Sequence, residues 1–384
     1  MTGLDSELNN RVTDLIEGQV AAGEQLGVQV CAYRDGKIIV DTWAGTMGRS
    51  DPRPVQADTL FNCFSTTKGV AATALHILAD RGVISYDEPV ATYWPEFAAH
   101  GKGRVTVAQA MSHQAGLHTA PPAEVSLDWD RAIAYVADLE PAWQPGTATG
   151  YHALTYAWVV GGIVQGASGR HIAEVIRTEI AEPLGVADSM YVGIPDGLDD
   201  RLASLQSAQR PSEEEAANSP YAGLAPDHDY FKAMANHGLN YNRMEVRKAC
   251  IPSANGHFTA RSLARMYAAL ANGGEIDGAR LVSAERVEQM SAIQVSSLDR
   301  VLLSAQPKSI GFFNGGPVDG VAGAMGPRRS AFGHPGAGGS IAFADPEVGL
   351  AVAVTINKMQ LSLAAEGPTQ QICDLVRAGL GLGA

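Results

Sequence analysis

Residues 61–81, FNCFSTTKGVAATALHILADR, carry a serine and a lysine three positions apart, Ser65 and Lys68. They stand at the head of an apolar run in which Val70, Ala71, Ala74, Leu75, Ile77 and Leu78 recur at helical spacing. On a helix, positions i and i+3 share a face, with Cβ atoms roughly 5–6 Å apart. A serine hydroxyl is a poor nucleophile until a neighbouring base takes its proton, and a desolvated lysine amine is such a base. The helix N-terminus adds spare N–H donors and a partial positive charge where an oxyanion would form. The same residues also admit a plainer reading, with Ser65 as an N-cap and Lys68 as a solvated first-turn side chain. Cys63 lies close by, but no base stands at a motif distance from it, and it reads as a small buried packing residue.

Upstream of this stretch, Leu4, Leu8, Val12, Leu15, Ile16 and Val20 predict an amphipathic helix over about 4–22. Residues 26–45 alternate on either side of Asp35-Gly36, which predicts a hairpin. Residues 45–60, with Pro52 and Pro54, read as a loop, and the helix of Ser65 should stop at Gly82.

Downstream, from about 84 to 255, the patterns are mostly helical and strands are few. Helices are expected over 105–116, 127–139, 151–170 and 171–185. Residues 195–253 are rich in turn-formers and polar residues, and a connection that long suits a lid or binding loop. Residues 259–274 form another helix, strands return at 330–336 and 339–358, and a final helix covers about 365–380. The fold class is therefore α/β of the α+β type, an antiparallel sheet flanked by helices with an inserted all-helical domain. The expected division is 1–83 with 256–384 as the α/β unit, and 84–255 as the mainly helical insertion with its long substrate-side loop.

The 384 residues are 46% hydrophobic and 18% charged, within the range of globular proteins and long enough for two core-forming units. A net charge of −13 without any basic cluster argues against a nucleic-acid partner. No apolar run is long enough to predict a membrane span. The polar start MTGLDSELNNRV does not read as a secretory signal, and Cys31, Cys63, Cys250 and Cys373 form neither a metal spacing nor a disulfide framework. A cytoplasmic protein with reduced thiols is expected, and oligomeric state does not follow from the sequence.

Two further segments combine with Ser65. In WQPGTATGYHA, Tyr151 follows a Pro-Gly-Thr turn and precedes a helix. In FGHPGAGGS, His334 opens a glycine-rich turn at a strand edge, where glycines let a backbone N–H come close to a ligand. With Ser-x-x-Lys, these segments make the chain resemble the serine β-lactamase and penicillin-binding protein superfamily over roughly residues 10–380. Within it the match is to family VIII carboxylesterases, which share the class C β-lactamase-like fold.

The resemblance implies a β-lactamase/transpeptidase-like fold and a serine esterase acting on a small-molecule ester, with no cofactor and no metal. It implies Ser65 as acylated nucleophile, with Lys68 and Tyr151 hydrogen-bonded to each other and sharing the base. It implies an oxyanion hole from the N–H groups of Ser65 and Ala337, with His334, Gly336 and His152 on the substrate side. Two departures stand out. Ala153 replaces the superfamily's frequent asparagine, which weakens the case for efficient lactam hydrolysis but not for ester hydrolysis. His334 replaces a lysine, which leaves less positive charge for a substrate carboxylate. A β-lactamase, a D-amino-acid peptidase or acyltransferase, and a catalytically silent scaffold protein are the rival readings. No Gly-x-Ser-x-Gly occurs, which disfavours the commoner esterase fold.

Other polar residues have plainer explanations. His113 and His118 lack the partners of a metal motif and read as structural. Asp227-His228-Asp229 reads as a solvated loop. Trp129, Trp143, Trp158 and Tyr156 read mostly as core.

Overall fold

The computed structural model describes residues 4–208, 211–235, 237–360 and 367–383. Its organising element is a seven-stranded antiparallel sheet drawn from both halves of the chain. The strands are β1 (Gly27–Arg34), β2 (Lys37–Gly48), β3 (Asp51–Pro54), β4 (Phe313–Asn314), β5 (Phe332–Pro335), β6 (Ile341–Asp345) and β7 (Leu350–Ile356). Their spatial order is β3-β2-β1-β7-β6-β5-β4, so the first strand pairs with the last, from Val28 opposite Ile356 to Arg34 opposite Leu350. The β1–β2 turn is the Asp-Gly turn expected, with Asp35 at φ 49° and Gly36 at φ 72°.

Both faces of the sheet are covered, and strand alternation decides which side chains go where. Val28, Val30, Ala32, Val352 and Val354 pack with Leu8, Val12 and Ile16 of α1 (Ser6–Ala21) and with Ile372 and Val376 of the C-terminal helix Pro368–Gly379. The opposite face presents Cys31, Tyr33, Ala351 and Ala353 to a larger core. That core includes α2 (Thr67–Asp80), α3 (Tyr156–Ser168) and α4 (Ala260–Ala271). Every residue of α2 from Thr67 to Ala79 is buried, so this helix is enclosed on all sides rather than amphipathic. Alanines on the β7 face leave room for helices to lie close.

Several sequence expectations change in the structure. Residues 51–54 form β3 rather than loop, and Pro52 and Pro54 are tolerated because β3 is an edge strand. The inserted region is not all helical. Met190–Val192 is a strand, joined with Gly256–Phe258 and Phe61–Asn62 in a three-stranded sheet beside the turn that carries Ser65. The helix expected over 105–116 spans only Val107–Met111, because His113 takes a left-handed φ of 63°. Among its described residues the long 195–253 stretch contains three short α-helices, Glu213–Ala217, Asp229–Met234 and Met244–Lys248, and a 3-10 turn, Asp199–Arg201. Residues 365 and 366 of the expected last helix, and 1–3 of the N-terminal stretch, lie outside the described residues.

Gly69 shows how tightly α2 is enclosed. A Cβ there would run into Tyr267 Oη, with Tyr267 Cζ at 3.2 Å and Phe312 Cε1 at 3.4 Å. Gly69→Ala should therefore destabilise the protein by about 1–3 kcal/mol, the usual range for overpacking. Adding Tyr267→Phe, which removes the clashing oxygen, should restore most of the loss in chemical denaturation. If the second substitution restores nothing, the clash is not the cause.

Candidate active site

The turn that presents Ser65 is held in an uncommon backbone conformation. Phe64 has φ 45°, which costs a non-glycine residue roughly 1–2 kcal/mol. Side chains around the turn compensate. Thr67 Oγ1 donates to Phe64 O at 2.6 Å and accepts from Gly256 N–H at 2.9 Å. Thr66 Oγ1 donates to Ser340 O at 3.3 Å, tying the turn to the glycine-rich segment after β5. The Phe64 ring meets Tyr241 edge-on at 4.9 Å. Ser65 itself lies in a 3-10 turn, Phe64–Thr66, just before α2 and is partly exposed. It caps nothing, which removes the plainer reading of this residue.

Lys68 is completely buried. Its Nζ lies 3.0 Å from Ser65 Oγ, 2.7 Å from Ala153 O and 3.0 Å from Ser253 O. The two carbonyls can only accept, so a neutral amine spends both N–H groups on them and turns its lone pair to the Ser65 hydroxyl. Burial drives the amine's pKa well below the ordinary 10.5, favouring that neutral form.

Tyr151 is buried with its ring against His113, Phe313 and His334 at 5.0, 5.5 and 5.8 Å between centroids. Burial raises its phenol pKa, and a hydrogen bond with Ser65 opposes the rise. The expected direct hydrogen bond between Lys68 and Tyr151 is absent among the described residues. Lys68 Nζ sits instead over the Tyr151 ring, 4.9 Å from its centroid, and the two groups meet at Ser65. The two carbonyls occupy the amine's donors, leaving none for the phenol.

The three candidates expected on the substrate side are all buried. His152 is 1% exposed. Its Nε2 accepts from Leu117 N–H at 2.8 Å, which assigns the proton to Nδ1, placed 3.0 Å from His113 Nδ1. Both nitrogens are thus committed inside the protein. His334 is also 1% exposed, packed against Phe313 at 4.5 Å, with Nδ1 donating to Pro335 O at 2.7 Å. It stacks beside the Tyr151 ring at 5.8 Å, and its Nε2 has no hydrogen-bond partner among the described residues. Gly336 gives its N–H to Ser340 O at 2.6 Å, and a Cβ there would run into Cys63 O. Its smallness lets the strand edge abut the turn that carries Ser65. Ala337, next in the chain, is exposed, and its N–H meets no backbone acceptor among the described residues.

Cys63 is fully buried, and burial pushes its thiol up to about 12. Asp229 is not part of a solvated loop. It starts the helix Asp229–Met234 and pairs with His118 at 3.2 Å and Arg300 at 3.1 Å. His113 and His118 therefore turn to different partners, His152 and Asp229.

Two residues at the site went unread in the sequence. Asp299 and Lys308 form a fully buried ion pair at 2.9 Å, and Asp299 Oδ1 accepts from the Tyr151 N–H at 3.1 Å. No local spacing marks them, since Asp299 lies 148 residues beyond Tyr151.

The family profile described as Beta-lactamase matches residues 12–373. The chain belongs to the beta-lactamase family. This beta-lactamase-family chain is 37% identical over 344 residues to "Esterase/beta-lactamase LipL" of Mycobacterium tuberculosis, covering 87% of this chain and 77% of that protein. Among solved structures it is similar to a family VIII carboxylesterase, with TM-score 0.87 and 33% identity over 98% of this chain and 99% of the other. It is also similar to a penicillin-binding protein homologue from Caulobacter crescentus, with TM-score 0.83, 35% identity and coverage of 98% and 99%. The family and fold implied by the three motifs are those found.

Burial of histidines near the site has a consequence for acid stability. His76, His257 and His334 are held down to about 3 by desolvation. Above pH 6.5 both folded and unfolded states leave them neutral. Between 6.5 and about 3 only the unfolded state binds protons, so stability falls as pH drops through that window. Each histidine contributes a slope of about 1.4 kcal/mol per pH unit in that window. Urea titrations across it should show this, and His334→Phe should reduce the slope by about one proton. An unchanged slope in that variant would contradict the burial argument.

Proposed function

We propose that the protein is a serine carboxylesterase in which Ser65 is the nucleophile and Lys68, assisted by Tyr151, is its base. The observation that carries this reading is Lys68 Nζ, buried with no carboxylate on it among the described residues and 3.0 Å from Ser65 Oγ. The relatives named esterase and carboxylesterase support the ester as substrate class.

Ser65 Oγ attacks the ester carbonyl carbon as its proton passes to the Lys68 amine. The tetrahedral oxyanion is held by the N–H groups of Ser65 and Ala337, each worth about 3 kcal/mol of barrier. Collapse breaks the bond to the alkoxide, which takes a proton relayed by Lys68 and Tyr151, and leaves an acyl-enzyme. Water then attacks the acyl carbon with the same base accepting its proton, and Ser65 is regenerated with release of the acid. Tyr151 remains protonated in the resting site, since burial disfavours its phenolate, and serves as a proton relay beside the neutral amine.

No helix among the described residues is long and apolar enough to cross a membrane. All four cysteines are free, which supports a reducing, cytoplasmic setting. Ala153 offers only its carbonyl to Lys68, with no side-chain amide to hold the acylamino group of a lactam. Esters should accordingly exceed a chromogenic cephalosporin in kcat/KM by at least about tenfold.

The decisive test is labelling with a fluorophosphonate, followed by mass spectrometry of the peptide containing Ser65. The adduct should fall on Ser65, and Ser65→Ala should abolish both labelling and turnover of p-nitrophenyl butyrate. Tyr151→Phe should lower kcat by about 100-fold or more with little change in KM, as expected for loss of a group acting in proton transfer. Retained turnover in Ser65→Ala would defeat the assignment.

A further inference from the structure

Tyr151 belongs to no regular element. It lies in an extended connection ahead of α3, so something else must hold its main chain. Asp299 does so at several points. Its Oδ1 accepts from the N–H groups of Tyr151 at 3.1 Å, Val301 at 2.8 Å and Leu302 at 2.8 Å. Its main chain bridges Thr149, and Arg300 N–H donates to Thr149 O at 2.9 Å. Its Oδ2 lies 2.9 Å from Lys308 Nζ, with both side chains wholly buried.

Lys308 is fixed in turn, bridging both Val295 and Phe313 through its main chain. Phe313 packs on the Tyr151 ring at 5.5 Å between centroids and on His334 at 4.5 Å. The connection therefore runs from a buried carboxylate to the tyrosine's backbone, and from the paired lysine, whose main chain bridges Phe313, to the tyrosine's ring. A buried ion pair adds little stability compared with apolar residues of similar size, so stability alone is a poor reason for this one.

We propose that Asp299, neutralised by Lys308, is a positioning residue whose carboxylate oxygen fixes the Tyr151 main chain and so keeps the phenol directed at Ser65. This rests on the roles given above to Ser65, Lys68 and Tyr151. Asp299 touches no reacting atom. It acts through the N–H of Tyr151, and the lysine's part is to keep the carboxylate buried without an unbalanced charge.

Two charge-free double variants separate the acceptor from the charges. Asp299→Asn/Lys308→Met keeps an oxygen for the three N–H groups, whereas Asp299→Leu/Lys308→Met removes it. With p-nitrophenyl butyrate, the Leu/Met variant should lose about 100-fold in kcat with KM changed by less than about threefold. The Asn/Met variant should stay within about tenfold of the parent kcat. In a Tyr151→Phe background the Leu/Met pair should cost less than about threefold more, because the group it positions is already gone.

The proposal is overturned if the Leu/Met variant keeps the parent kcat, if the Asn/Met variant falls as far, or if the loss is as large in the Tyr151→Phe background. If the Leu/Met variant gives no cooperative melt, the Asn/Met variant decides alone: kcat within tenfold supports the proposal, and a larger loss overturns it. Fluorophosphonate labelling of the parent protein keeps the two readings apart. An unlabelled Ser65 in the parent defeats the nucleophile assignment, whereas a labelled parent with an equally active Leu/Met variant defeats only the positioning role.

Discussion

The site depends on a lysine amine shut away from water with no carboxylate among the described residues to balance it. Lys68 draws together three segments that are far apart in the chain: the Ser65 turn, the Ala153 carbonyl near Tyr151, and the Ser253 carbonyl. The protein contains two instructive contrasts. Lys102 is equally inaccessible, but its Nζ donates to three carbonyls, of Ala99, Ala137 and Leu139 at 2.8, 2.9 and 2.6 Å. All three can only accept, so that lysine is a fastener. Lys308 is balanced by Asp299 and remains an ion-pair partner. Lys68 alone of these three has a hydroxyl among its partners, and a hydroxyl can return a proton. In the proposed mechanism, the difference between a structural and a reactive buried lysine is one acceptor that is also a donor.

Around that amine the protein uses neutral groups. His113, His152 and His334 surround the Tyr151 ring or its neighbours, and burial holds all three below the usual imidazole range. A protonated histidine beside Lys68 would oppose any positive charge on the amine during turnover. In the proposed mechanism, apolar and neutral packing leaves the lysine free to accept a proton from Ser65 and release it again. The strained φ of Phe64 and the close approach allowed by Gly336 serve the same end, bringing the hydroxyl to the open edge of this dry cluster.

What could be read from the sequence was whatever depends on short-range spacing. Ser65 and Lys68 are three apart, and helical geometry alone puts them together. The Asp35-Gly36 turn and the alternating strands at both ends are equally local. Tyr151, 83 residues from Lys68, became legible only through its resemblance to a family motif. The side chains of His152 and His334 could not be placed, because a histidine in a motif looks the same whether it faces a cleft or packs beneath one. Asp299 and Lys308 lay in a stretch without periodicity, and their pairing is a product of tertiary structure. The strand Met190–Val192 has three residues, too few for alternation to register, and β3 was hidden by prolines that only an edge position permits.

The pairing of the first strand with the last fixes when the enzyme can come into being. The turn bearing the serine is stitched to Ser340, and the sheet behind it closes only when Leu350–Ile356 slides in beside Gly27–Arg34. A nascent chain that has emerged from the ribosome as far as its second hundred residues already carries serine, lysine and tyrosine, yet has no wall for them to lean on. Its N-terminal hairpin must wait with an unpaired edge, a hazard for aggregation during synthesis, until the closing strand arrives.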